Sequence, residues 1–188
     1  MTDPNKDLIV YVNDDGTPTG EVAPKLEAHT SKTRLHSAFS CYIFNDQGQL
    51  LVTQRALSKK VWPGVWTNSV CGHPAPEESR EDAVVRRTSY ELGAKIKDLT
   101  MLLPTYSYTT PPFNGIIENE FCPVYAAHIT SGPDINPEEV EAYEWMDWDD
   151  FVAQAQGDLQ DKWSYWCKDQ LKQLKKVAEL VKFLKKLR

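Results

Sequence analysis

Residues 67–74 read TNSVCGHP, which places Cys71 two positions before His73 and just after the tryptophan-bracketed WPGVW of residues 62–66. A thiol and an imidazole this close fit a metal pair, a redox site or a proton-handling group beside a metal, and equally an ordinary turn. His29 and His36 lie seven apart in EAHTSKTRLH, a spacing that by itself favours two ordinary polar residues at the entry to a strand. Glu118 and Glu120, in IIENEFCPV, are separated by one residue, so on a strand both point to the same face. One reading of that pair is a solvated strand face. The other follows from the apolar flanks Ile116, Ile117, Phe121, Val124 and Tyr125: a carboxylate pair in a dry neighbourhood needs a cation, protons or hydrogen bonds. Imidazoles with carboxylates make a nitrogen and oxygen shell suited to Mn, Zn or Mg, which makes the glutamates candidate ligands.

A second set of charged residues follows. Gly72, Glu78, Arg86, Glu91 and Gly93 keep the spacing of the Nudix box, GX5EX7REUXEEXGU, in which helix carboxylates hold metal ions against a diphosphate. Two of the usual acids are replaced, by Arg87 and Tyr90. The charge-rich magnesium site of a hydrolase is therefore not intact, while Glu91 remains able to bridge one metal to a bound diphosphate. Lys25, Arg55, Lys59 and Arg87 supply the cations such a ligand needs, although each alone also reads as a solvated side chain.

The elements that must position these groups are partly legible. LIVYV (8–12) before Asn13-Asp14-Asp15-Gly16 predicts a strand and turn, and AFSCYIFN and QLLVTQR around Asp46-Gln47-Gly48 predict a hairpin. Residues 78–92 suit a helix with acids in its first turn and Gly93 as its stop. Short β-like runs are expected around 95–109, a longer one over IIENEFCPVYAAHI and another in VEAYEWM, followed by a short helix at WDDFVAQA capped by Asp147. Residues 161–188 read as mostly helical, with Leu171, Leu174, Ala178, Val181, Leu184 and Leu187 near three- and four-residue spacing. The expected class is α/β of the α+β type, a mixed sheet flanked by helices.

With 188 residues the default is one domain, expected over 1–167, with 168–188 as a basic amphipathic helix. Residues 168–188 carry eight Lys/Arg against Asp169 and Glu179, so the net −6 divides into a body of −12 and a tail of +6. An acidic body excludes a broad nucleic-acid face, so any anionic ligand is held by a few placed cations. The tail is expected to pack on the body, ahead of mediating a homodimer or resting on an anionic membrane. Scattered Cys41, Cys71, Cys122 and Cys167, and the lack of a run of about 18 apolar residues, predict free thiols and a cytoplasmic protein.

HTSKTRLH, LLVTQRALSKKVWPGVWTNSVCGHP, the altered Nudix helix and GIIENEFCPV together closely resemble type 1 isopentenyl diphosphate isomerase, over about residues 8–166. The resemblance implies a Nudix-like fold and reversible conversion of isopentenyl to dimethylallyl diphosphate. It implies that His29, His36, His73, Glu118 and Glu120 hold one divalent metal (Mn, Mg or Zn) and that Glu91 holds a second Mg with the substrate diphosphate. It further implies Cys71 and Glu120 as the acid/base pair, Tyr108 as a hydrogen-bonding partner on that side, and Trp166 as the aromatic over the cationic carbon, with Trp163 a core residue. Lys25, Arg55, Lys59 and Arg87 match the diphosphate-binding positions. A Nudix-type pyrophosphohydrolase and a diphosphate-binding protein without turnover are the competing expectations.

Overall fold

Runs of apolar residues too short for helices become the strands at the centre of the molecule, and the patterned segments around them become its covering helices. The computed structural model describes residues 8–187. In order, the elements are β1 (Leu8–Val12), β2 (Pro18–Pro24), α1 (Lys25–Ala28), β3 (His36–Ser37), β4 (Phe39–Phe44), β5 (Leu50–Arg55), β6 (Trp66–Thr67), β7 (Val70–Gly72), α2 (Arg80–Leu92), β8 (Lys95–Leu103), β9 (Ser107–Thr109), β10 (Asn119–Phe121), β11 (Val124–Ser131), β12 (Val140–Met146), α3 (Trp148–Gln156), α4 (Tyr165–Leu174) and α5 (Ala178–Leu187).

The larger sheet runs β12-β5-β4-β11-β8, with β6 added to β5 and β7 to β4. β4 and β11 pair in parallel and the other pairs are antiparallel. Every residue of β4 is buried, because helices cover both faces. Phe39, Cys41 and Ile43 join Ala83, Val84 and Leu92 of α2 on one side. Tyr42 and Phe44 join Phe151, Trp166, Leu171, Leu174, Leu180 and Phe183 of α3 to α5 on the other. The alternation is the two-residue period of a strand, here apolar on both faces. The smaller sheet runs β2-β1-β3-β10-β9, with β3 and β10 parallel.

Several expectations are corrected. IIENEFCPVYAAHI is two strands: Cys122-Pro123 breaks it, and β10 and β11 enter different sheets, since Pro123 has no N–H for a continuing ladder. The box helix begins at Arg80, not 78, because Ser79 Oγ accepts the Asp82 N–H and caps it. Asp147 takes the N-cap position of α3 but makes no side-chain capping bond. The 161–188 segment is two helices, and the break between α4 and α5 shifts the phase of the stripe. The buried positions after it are Leu180 and Phe183, while Ala178 and Val181 face solvent. The region before His29 also holds the short helix α1.

Gly93 ends α2 in the left-handed region at φ +54°, donating its N–H to Ser89 O. The next turn folds back closely: Asp134 N–H and Asn136 N–H reach Leu92 O (2.7 Å) and Glu91 O (2.8 Å). A Cβ on Gly93 would lie 2.6 Å from Asp134 O. Gly93→Ala is therefore expected to destabilise the fold by about 2 kcal/mol or more through clash and backbone strain, read as a lowered urea midpoint; an unchanged midpoint would contradict this account of the helix end.

Candidate functional site

Strand register brings the candidate ligands together. Glu120 of β10 lies between His36 on β3 and Tyr108 on β9, each directly opposite it. Glu118 sits two residues earlier on the same face, its N–H donating to Thr110 Oγ1 and its carbonyl accepting from Thr110 N–H, both at 2.9 Å. His29 follows α1, and its Nδ1 lies 2.6 Å from Lys25 O. His73 follows β7. Its carbonyl accepts from Arg86, whose guanidinium also forks onto Glu78 with two bonds of 2.6 Å. Glu78 and Arg86 of the box thus fix the turn that carries His73.

The chemistry of the donor set follows from the second nitrogens. Nδ1 of His29 and of His36 (2.9 Å from Arg34 O) each face a carbonyl, which can only accept, so each is a donor. In the neutral rings Nε2 is then the lone pair, the arrangement typical of metal-ligating histidine. One ring nitrogen from each of His29, His36 and His73 lies within 4.8 Å of the others, as do donor atoms of His36, Glu118 and Glu120. His29 Nε2 and Glu118 Oε2 approach to 2.8 Å, yet both are buried without a well-formed hydrogen bond. Two acceptors at that distance repel unless a proton or a metal ion lies between them. The residues therefore fit a divalent cation.

Burial pulls the His29 pKa down, but Glu118 outweighs it and lifts it above the usual histidine value. A metal ion competes with that proton for the same gap. Loss of hydration lowers His73 to about 4, so its ring is neutral. Burial alone would raise Glu120, but the imidazoles of His36, 3.7 Å away, and of His73, within hydrogen-bonding distance at 3.0 Å, outweigh it and hold the carboxyl well below its ordinary value. With His73 neutral, we assign that effect to hydrogen bonding, joined by the Tyr108 hydroxyl, which donates to Glu120 Oε2 at 2.8 Å.

His29, His73, Glu118, Glu120 and Tyr108 line a cavity of 860 Å3, which also receives Cys71, Trp166, Lys25, Arg55, Lys59, Arg87 and Glu91. His36 stands behind it, fully buried, with Nε2 3.2 Å from His73 Nε2. Burial pushes the Cys71 thiol up to about 12, so it is protonated at neutral pH. Trp166 donates its Nε1–H to Thr67 Oγ1 (2.9 Å) and meets Trp62 edge-on. Trp163 packs on Phe151 and Trp66 in the core, as expected.

Arg55, Lys59 and Arg87 are tied to neighbours. Arg87 binds Glu91 at 2.6 Å and Glu139 at 3.1 Å, and Lys59 pairs with Glu139. Arg55 donates to the carbonyls of Val61 and Trp62. The Lys25 pKa is lowered by lost hydration and by Arg87, Lys59 and Arg55; because the residue is exposed, the cationic neighbours carry more of that effect. Burial raises Glu91, opposed by Arg87. Sequence reasoning missed Glu139, which sits in the turn before β12 with no motif to mark it. It also missed Ser40, Asn68 and Gln170, whose types are unremarkable and whose meeting depends on tertiary structure.

Residues 34–167 match the NUDIX domain family. The chain is 56% identical over 137 residues to an isopentenyl-diphosphate Delta-isomerase of Citrobacter koseri, covering 73% of this chain and 75% of that protein. It is 48% identical over 173 residues to one of Saccharopolyspora erythraea, covering 92% and 85%. Among solved structures, a Deinococcus radiodurans protein matches with a TM-score of 0.68 at 19% identity, covering 89% of this chain and 98% of that one. A MutT NUDIX hydrolase of Burkholderia pseudomallei matches with a TM-score of 0.58 at 25% identity, covering 75% and 98%. The structural likeness gives the expected mixed-sheet fold, and the sequence likeness goes further: the chain belongs to the isopentenyl-diphosphate Delta-isomerase family, built on a NUDIX domain.

Proposed function

We propose that this protein interconverts isopentenyl diphosphate and dimethylallyl diphosphate by protonating the alkene and removing a proton from the far side of the resulting tertiary cation. The observation that carries this reading is one cavity lined by a protonated thiol, Cys71, a carboxylate, Glu120, and cations that include Lys25, Arg55, Lys59 and Arg87. Moving an unactivated double bond needs one group to deliver a proton to a terminal carbon and another to accept one from the carbon across the cationic centre. Cys71 and Glu120 are the groups of suitable chemistry, and they come from different sheets, β7 and β10. The π face of Trp166 favours positive charge nearby, and the apolar lining from Val70, Ile116 and Trp166 disfavours water that would trap the cation.

In this reading Lys25, Arg55, Lys59 and Arg87 hold the diphosphate. Glu139 and Glu91 occupy Lys59 and Arg87 until the diphosphate takes their place. Arg87 stands where a hydrolase of this fold carries an acid, which favours keeping the phosphates over cleaving them. His29, His36, His73, Glu118 and Glu120 are the residues to hold one Mn, Mg or Zn ion, and Glu91 a second Mg with the diphosphate. When bound, such an ion fixes the Glu120 carboxylate and tunes its basicity.

Among the described residues no helix is long and apolar enough to cross a membrane. We assign the C-terminal helix to the domain itself, since Leu180 and Phe183 are buried against the body, and leave membrane contact as the less favoured role for its lysines. Monomer and homodimer are both compatible with this reading. The four unpaired cysteines support a cytoplasmic location.

Three outcomes are expected. Metal-loaded protein converts isopentenyl diphosphate to its acid-labile isomer without releasing phosphate, and Cys71→Ala lowers kcat by about 1,000-fold or more; phosphate release would indicate the hydrolase, and binding without turnover the non-catalytic protein. His36→Ala loses most of the roughly one tightly held divalent ion per chain expected of the His3Glu2 shell, measured by elemental analysis after dialysis; full retention would overturn that ligand set. Glu139→Gln tightens inorganic pyrophosphate binding by about 3- to 10-fold, because one competing carboxylate is removed; weaker calorimetric binding would show instead that Glu139 organises the cations.

A further inference from the structure

Behind Cys71 lies a chain of buried polar groups that neither metal nor substrate uses. Ser40 of β4 is the residue directly opposite Cys71 of β7, and its Oγ is 3.3 Å from Cys71 Sγ. Ser40, Tyr42 and Gln170 are all at most 1% exposed. Tyr42 donates its hydroxyl to Gln170 Oε1 at 2.8 Å, and Gln170 Nε2 donates to Ser40 Oγ at 2.8 Å. Turning the amide over would leave the Tyr42 proton without an acceptor in a fully buried position, so this direction is the satisfied one. Since Ser40 Oγ already accepts from Gln170, its own proton goes to a sulfur. Cys71 at 3.3 Å is nearer than Cys122 at 3.5 Å.

The other side of the thiol is equally constrained. Asn68 uses both amide protons on backbone carbonyls, those of Cys41 (3.0 Å) and Val70 (3.1 Å). Its Oδ1 therefore faces the thiol and accepts from Cys71 Sγ at 3.3 Å and from Thr67 Oγ1 at 3.0 Å. Thr67 in turn accepts from Trp166 Nε1. The sulfur thus has a defined proton direction: it gives to Asn68 and receives from Ser40.

We infer that Ser40 is a positioning residue for Cys71, with Gln170 and Tyr42 setting the direction of its hydroxyl and Asn68 holding the thiol proton until substrate arrives. The inference rests on Cys71 handling protons as proposed above. When the S–H proton passes to the substrate carbon, the bond from Ser40 is the one that persists and strengthens, because its acceptor gains negative charge. In the reverse transfer the same bond holds the sulfur in line to receive. Gln170 and Trp166 lie four residues apart on α4, so one helix face sets both the thiol and the aromatic wall.

The test uses the metal-loaded full chain with isopentenyl diphosphate. Ser40→Ala is expected to lower kcat by about 10- to 100-fold, the worth of one hydrogen bond to a charged group, while KM and the thermal midpoint hold and the S–H stretching band in the infrared shifts. Ser40→Thr, which keeps the hydroxyl, is expected to recover most of kcat. Tyr42→Phe removes only the far hydroxyl, and is expected to lower kcat by about threefold through the freed amide. An unchanged kcat in Ser40→Ala or Tyr42→Phe, or a loss of kcat matched by equal losses in KM and thermal midpoint, overturns the inference. Full turnover by Cys71→Ala overturns the reading beneath it instead.

Discussion

The approach of His29 Nε2 to Glu118 Oε2 is the constraint on which the rest of the site depends. Bringing two buried acceptors to hydrogen-bonding distance is unfavourable without positive charge between them, and the fold commits four separate segments to doing so. α1 delivers His29, the β1-β3-β10 ladder delivers His36 and the glutamates, and the Arg86–Glu78 fork holds the turn with His73. Backbone carbonyls orient two of the imidazoles from behind. The smaller sheet is organised around that convergence. The larger sheet supplies what faces it, with β7 bringing Cys71 to the cavity.

The altered Nudix box shows how one helix can keep its architecture while its chemistry changes. Glu78 and Arg86 still brace the neighbouring turn, a task of position rather than catalysis. Arg87 and Tyr90 have left the set of acids, and Arg87 now draws Glu91 and Glu139 into an ion-pair group at the cavity wall. A site rich in carboxylates concentrates metal on the phosphates, whereas one in which cations face acids binds the phosphates as anions.

Most residues of the candidate site were legible in the sequence because its motifs are short and dense with chemistry. Cys71 and His73 share one turn, and Glu118 and Glu120 share one strand face even though β10 itself spans only Asn119–Phe121. The break at Cys122-Pro123 was visible as a proline, yet its consequence was not, because pattern alone does not say that two halves of an apolar run enter different sheets. Periodicity likewise failed across Lys175–Val177, where a short non-helical step resets which residues face inward. Ser40 and Gln170 lie 130 residues apart. Nothing local to either marks them, and only the packing of α4 on β4 makes them neighbours.

The split at Cys122-Pro123 has a mechanical consequence. β10, which carries the candidate ligand Glu120, is followed after two intervening residues by β11, which pairs with the central strand β4 of the larger sheet. An ion gripping Glu120 and His29 would close a loop of about 90 residues, and in an unfolded chain that closure would cost entropy that the folded chain does not lose. An ion held by those candidate ligands would act as a reversible cross-link on the domain, so that ion occupancy, resistance to unfolding and activity would rise and fall together.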